Sequence, residues 1–381
     1  MALTSIPDVV ELTRALVSMN TINPPGNEHQ CCSFLAGLFD DAGFDVVVSE
    51  FEDGRSNLIA RIGHGDQSSL PICFTGHVDT VPLGIEPWSV DPFAGIVEDG
   101  KLFGRGSTDM KAGVAAMSVA ALSKVSLLEN TPGVILIFTG GEETGCDGAK
   151  ALCEHPELLG NAGALVVGEP TSNRPLIGHK GALWFHAISR GITAHGSTPE
   201  LGVNAVYAAC RAVGKIEDFG FNVTPHAILG SPSINVGRMQ GGINVNSVPD
   251  HAEFDIDIRT IPSQDHREIQ AHMESYLEGD IELQTTVDVE GVLSDFANPW
   301  IQNVYDDITP ILGAKPGIET AKYFTDASVL TPAFGNPPTL VLGPGDAAMA
   351  HKTDEYCEVD KIRQAVELYE TLINRWCGLR V

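Results

Sequence analysis

Short apolar runs rich in β-branched residues alternate with helix-patterned segments through the first half of the chain, and this rhythm constrains the fold most. Residues 44–48, 58–62, 72–75, 134–139 and 164–167 have the length and composition of buried strands. Residues 7–19 carry Val9, Val10, Leu12, Leu16 and Val17 at helical spacing, 28–42 read the same way, and 110–122 form an alanine-rich helix. Strands apolar on both faces need cover on both faces, which predicts an α/β domain with a largely parallel sheet. Near residue 182 the character changes. Residues 183–189, 233–236, 253–259 and 282–289 alternate in polarity, and helices over 203–215 and 264–277 interleave with them. That pattern predicts an α+β module with a mostly antiparallel sheet. After Gly291 the first style returns, with a helix over 300–312, a buried strand over 339–342 and a closing helix over 359–376. The expected organisation is a discontinuous domain, 1–181 and 292–381, with a smaller domain, 182–291, inserted.

With 381 residues, 43% of them hydrophobic, the chain can bury the cores of two domains. Its 23 basic and 50 acidic residues give a formal charge of −27. Such a surface repels phosphate backbones and anionic lipid, so neither nucleic acid nor a membrane is an expected partner. Its plain reading is solubility, with attraction of cationic substrates as the weaker functional one. Residues 1–11 show no basic region followed by an apolar run, and no apolar run approaches the ~20 residues of a membrane helix, so the expected location is the cytoplasm. The cysteines form no C-x-x-C pair, which disfavours a zinc knuckle and agrees with reduced thiols.

Chemistry-bearing residues gather where strands end. The strand over 72–75 runs into Gly76-His77-Val78-Asp79, and residues two apart on an extended chain share a face. His77 can bind a metal while Asp79 orients its imidazole. Gly104-Arg105-Gly106-Ser107-Thr108-Asp109-Met110-Lys111 suits a tight turn into the following helix, with Asp109 either a helix cap or a ligand. It is a poor dinucleotide loop, because Asp109 stands where the third glycine belongs. The strand over 134–139 ends in Gly140-Gly141-Glu142-Glu143, that over 164–167 in Gly168-Glu169-Pro170-Thr171, and that over 339–342 leads to Ala350-His351. Adjacent carboxylates directly after a buried strand are costly unless solvated, as in an acidic turn, or bound to cations, and neighbours such as Glu142 and Glu143 can take different roles. In a parallel sheet these ends converge on one crevice. Two histidines with several carboxylates suit zinc or a similar divalent ion.

Gly76-His77-Val78-Asp79-Thr80-Val81-Pro82, the 104–111 segment, Glu142-Glu143, Gly168-Glu169-Pro170-Thr171 and Leu342-Gly343-Pro344-Gly345 with Ala350-His351 occur in one order along the chain. In this the sequence resembles the metallopeptidase family of acetylornithine deacetylase, succinyl-diaminopimelate desuccinylase, aminoacylase and the glutamate carboxypeptidases, over essentially its full length. The resemblance implies two divalent metal ions, zinc with cobalt or manganese as alternatives. His77, Asp109 and Glu169 would hold one ion and Asp109, Glu143 and His351 the other. Glu142 would be the general acid/base and Asp79 the support of His77. The inserted domain would form a homodimer, with His195 reaching the partner's site to stabilise the oxyanion, although Ala194 stands where the family often has glycine. Arg259 would bind a substrate carboxylate. Asn246 would lie beside the substrate, a less secure match because Asn244 is close by.

The implied reaction is hydrolysis of the amide of a small N-acyl amino acid. His179-Lys180-Gly181, Gly202-Val203-Asn204-Ala205 and Thr325-Asp326-Ala327 lean the resemblance toward acetylornithine deacetylase, with Asp326 expected to meet a cationic side chain. Succinyl-diaminopimelate desuccinylation, exo- or dipeptidase activity, a recruited hydrolytic deamination and non-catalytic binding stay open at this point.

Overall fold

The computed structural model describes residues 6–63, 69–279 and 281–379. The chain divides into two compact units, one comprising Met1–Gly178, Leu293–Glu319 and Thr325–Val381, the other His179–Val292 with Thr320–Phe324. The return of residues 320–324 to the second unit has no counterpart in the sequence pattern.

The first unit is built on a mixed, mainly parallel sheet of nine strands among the described residues. Its centre runs Val134–Thr139, Ile72–His77, Ala164–Val167, Thr339–Val341, each parallel to its neighbour. Every residue of these four strands is buried, which is why they read as continuous apolar runs. The hairpin Asp45–Glu52/Arg55–Ile62 adds an antiparallel edge on one side. Leu176–His179 adds another beyond Thr339–Val341.

Helix Ala112–Leu128 packs against strands Ile72–His77 and Val134–Thr139 and helices Val9–Val17 and Val359–Trp376. With apolar neighbours on most sides it has no polar face. The helical stretch Ser107–Leu128, 22 residues, is long and apolar enough by composition to cross a membrane, which corrects the expectation that no such run exists. Its burial in the core explains the composition. The regular helix begins at Ala112, two residues later than its pattern indicates, because 107–111 form a kinked turn in which Asp109 and Met110 have non-helical dihedrals. Lys111, buried at the end of that turn, donates from Nζ to the carbonyls of Leu16 and Met19, at 3.0 and 2.8 Å, and so ties the turn to the end of Val9–Val17.

The second unit is a four-stranded antiparallel sheet in the order Ser233–Gly241, His251–Thr260, Gly181–Arg190, Ile281–Val289. Helices Ala205–Glu217 and His266–Tyr276 contribute their apolar stripes to a separate core with Leu183, Phe185, Phe254, Ile256 and Ile258. Asn204 and Asp265 cap the two helices through their side chains, so their starts are set by local chemistry. A two-stranded ribbon pairs Ala194–His195 with Ser247–Val248.

Candidate active site

Three of the four central strands deliver a metal-ligand type of side chain at their C-terminal ends. His77 is the last residue of its strand, Glu142 and Glu143 follow Gly140-Gly141, and Glu169 follows Gly168. The glycine pair is needed for packing. A Cβ on Gly140 would lie 2.8 Å from the Glu28 carboxylate carbon, and one on Gly141, whose φ is +74°, 2.7 Å from Arg55 Nη2. Glu28 and Arg55 form a buried ion pair of 2.9 Å directly under this turn.

The side chains assemble as two groups that share Asp109. His77 Nε2 lies 3.1 Å from Asp109 Oδ1 and 3.6 Å from Glu169 Oε1. His351 Nε2 lies 3.4 Å from Asp109 Oδ2 and 3.1 Å from Glu143 Oε2. Each oxygen of Asp109 therefore faces a different histidine. The other nitrogen of His77, Nδ1, donates to the main-chain oxygen of Asp79 at 2.9 Å and has Asp79 Oδ1 at 3.4 Å. A carbonyl can only accept, so Nδ1 carries the hydrogen and Nε2 presents its lone pair to the shared carboxylate in the neutral ring. Asp79 does more than support His77. Its carboxylate also accepts from the main-chain N–H groups of Glu142, at 3.2 Å, and Glu143, at 3.3 Å, and from Asn23 Nδ2, at 3.0 Å. One buried group thus aligns a ligand and the acidic turn together.

The electrostatics suit cations. Burial, reinforced by Glu169, Glu143 and Asp326 against the opposing charge of His77, holds Glu142 well above the usual carboxylate range. Burial also raises Glu169 and Glu143, with Asp109 adding to both. Asp109 is lowered, because its hydrogen bonds to His351 and His77 overcome its burial. Hydrogen bonds to Asp109 and Glu143 push His351 up to about 10. Protons on the imidazoles thus take the place of positive charge that the carboxylates demand. Glu143 Oε1 is buried without a hydrogen-bond partner among the described residues. The two groups bring together three carboxylates, Asp109, Glu143 and Glu169, and two imidazoles, so each ion would meet one histidine and two carboxylates. The donor set therefore fits two divalent ions of the zinc type.

Sequence reasoning missed Glu355. It is fully buried and accepts from Arg105 and from three N–H groups of the turn that carries Asp109. Its position just beyond His351 was the available signal, but an acidic residue in a polar segment is by default solvated.

Asp326 lies in the first unit, close to the acidic turn. It is 1% exposed and accepts a hydrogen bond from Thr139 Oγ1 at the end of the central strand. Burial raises it to about 6. It lies buried near Glu142, with its other carboxylate oxygen, Oδ1, unpartnered among the described residues.

The remaining expected residues belong to the second unit. His195 and Asn246 come together there: Gly196 N donates to Asn246 O at 2.7 Å, and His195 pairs with Ser247 in the short ribbon. Both are exposed, and His195 Nδ1 is 2.7 Å from Ser197 Oγ. Arg259 pairs with Asp257 at 2.9 Å and stacks over Trp184 and Phe324, while its Nη1 is buried without a partner among the described residues.

Residues 73–375 match the model of peptidase family M20/M25/M40. A probable succinyl-diaminopimelate desuccinylase of Staphylococcus epidermidis is 30% identical, with 99% of each chain covered. An acetylornithine deacetylase of Klebsiella pneumoniae is likewise 30% identical, over 98% of this chain and 99% of that one. An M20 family metallo-carboxypeptidase from Sulfolobus solfataricus superposes with a TM-score of 0.83 at 16% identity, covering 98% of this chain and 100% of that one, which shows a common fold. On the family match and these full-length relatives, the chain belongs to peptidase family M20/M25/M40 and is a hydrolase of that family.

Proposed function

We propose that the protein is a two-metal hydrolase that cleaves the amide of a small N-acyl amino acid, with N-acetylornithine-type deacetylation as its reaction. The observation that carries this reading is the pair of ligand groups sharing Asp109, with Glu142 beside them and outside both. His77, Asp109 and Glu169 would hold one ion, and Asp109, Glu143 and His351 the other. Bound there, the ions supply Lewis-acid polarisation of a carbonyl and make water a better nucleophile at neutral pH. Glu142 accepts the proton of the attacking water. Its raised affinity for protons suits it to keep that proton until the carbon–nitrogen bond breaks and then to deliver it to the departing amine. The products are a carboxylic acid and a free amino acid. His195 would donate to the oxyanion, and Arg259, whose Nη1 has no partner among the described residues, would hold the α-carboxylate.

The choice of acyl group is drawn from charge. One arginine accounts for one carboxylate, and a succinyl group brings an additional one. A formal charge of −27 repels the net-anionic N-succinyl-diaminopimelate more than N-acetylornithine, whose carboxylate and side-chain ammonium cancel. The expected result is a higher kcat/KM for N-acetylornithine than for N-succinyl-diaminopimelate or dipeptides. The 30% identity to a probable desuccinylase makes the succinylated substrate the second reading, and a preference for it would reassign the acyl group while leaving the hydrolase intact.

His195 would act in a homodimer, from one chain into the site of the other. Around it the second unit exposes Ile192, Leu201 and Val203, and the nearby loop leaves Ile243 and Val245 95% and 102% exposed, a surface suited to a second copy. Mixing an inactive His195→Ala protein with an inactive Glu142→Ala protein under subunit exchange should raise activity well above either parent. Demonstrated exchange without recovery would place His195 in its own chain's site.

A further inference from the structure

The turn that carries Asp109 is closed by one wide main-chain hydrogen bond, Lys111 N to Gly106 O at 2.8 Å, across residues whose own dihedrals are not helical. Asp109 itself has φ −123° and ψ 92°, and Met110 is also non-helical. Beyond that bond and the Lys111 side chain, the N–H groups around Asp109 are held from near the far end of the chain. Glu355 Oε1 accepts from Thr108 N at 2.8 Å and Asp109 N at 3.0 Å. Its Oε2 accepts from Gly106 N at 3.1 Å and Arg105 Nη1 at 2.6 Å. The main chain reinforces the link. Gly104 N donates to Glu355 O at 2.9 Å, Thr108 Oγ1 donates to Tyr356 O at 2.7 Å, and strand Tyr356–Glu358 pairs with Lys101–Phe103.

An Arg105–Glu355 pair alone would be a structural brace. Three backbone N–H groups converging on the same carboxylate make something more specific, because they form an anion cradle whose shape is the shape of the turn. The residue that fills the cradle lies just beyond His351, so one buried side chain ties the segment bearing Asp109 to the segment bearing His351.

We propose that Glu355 is a positioning residue for the metal centre: through the N–H groups of Gly106, Thr108 and Asp109 it sets the Asp109 carboxylate where both ligand groups can share it, before any cation binds. This rests on Asp109 being a shared ligand. Cobalt(II) is the probe, because its visible absorption reports ligand geometry. Glu355→Gln puts an amide N–H₂ against N–H donors on one side of the cradle. It should lower cobalt affinity by ~10–100-fold, the usual cost of losing a group that orients a ligand, and change the absorption spectrum. Arg105→Gln removes the ion pair but leaves the three N–H groups on Glu355. It should lower the melting temperature while keeping cobalt affinity and spectrum near those of the wild type. Hydrogen exchange on the metal-free wild-type protein should find the amides of Gly106, Thr108 and Asp109 protected, a measurement that stands even where Glu355→Gln does not fold. Wild-type cobalt binding and spectrum in Glu355→Gln, an equal loss in Arg105→Gln, or free exchange of those amides would each overturn the proposal. An Asp109→Ala protein that binds two cobalt ions normally would instead overturn the shared-ligand reading beneath it.

Discussion

Glu142→Ala should lower kcat by ~10²–10⁴-fold, the range for loss of a general acid/base, while the protein retains both metal ions. The separation follows from the geometry. Glu143 reaches His351, at 3.1 Å, and belongs to the group around Asp109. Glu142 belongs to neither ligand group, although it is buried and electrostatically coupled to His77 and Glu169. Its main-chain N–H is held by Asp79 independently of its side chain, so truncation should leave the turn in place. Metal analysis beside steady-state kinetics checks this. If the alanine variant lost an ion while Glu143→Ala kept both, the two roles would be exchanged.

Stripping the ions with a chelator should take activity to the detection floor, and zinc or cobalt should restore it. Reloading should also release protons. In the metal-free protein Asp109 and Glu143 hold His351 at about 10. Burial alone would lower His77, but Glu169, Asp109 and Asp79 outweigh it and hold this ring well above its ordinary value. His351 is then protonated at pH 7, and a cation must displace that proton to reach its nitrogen, while the raised proton affinity of His77 works in the same direction. Metal affinity should therefore fall as pH decreases and rise as pH approaches about 10, the value at which His351 loses its proton unaided. Calorimetric titration with zinc at pH 7 in buffers of different protonation enthalpy measures the release directly. Heats independent of buffer would show that the rings are already neutral. His351→Ala should release less and lose the ion of its own group.

Relations that depend on short stretches of chain were legible from the sequence. Val134–Thr139, Ala164–Val167 and Val359–Trp376 have the bounds their patterns indicate, because burial on both strand faces, or on one helix stripe, writes itself directly into residue type. The ligand types were legible for a related reason. In a parallel sheet the residues after each strand share one edge, so His77, Glu142, Glu143 and Glu169 could be grouped from strand ends alone. The long helix was legible as a helix but not as core, since Ser107–Leu128 has a membrane-like composition that only its packing explains.

What the tertiary structure alone decided are relations between residues far apart in the chain. The expectation that Asp326 meets a cationic side chain rests on the resemblance alone. That it is buried against the Thr139 hydroxyl, 187 positions away, is something only the fold shows. Arg105 and Glu355 are 250 positions apart, and nothing in either neighbourhood announces that a carboxylate from one fills a cradle of N–H groups in the other. Likewise Thr320–Phe324 joins the second unit through contacts that no local pattern encodes. The sequence by itself determined the elements, the ligand chemistry and the family, because periodicity and residue type are local. Which oxygen of Asp109 faces which histidine, and what holds Asp109 there, was decided by packing and hydrogen bonds that exist only once distant segments meet.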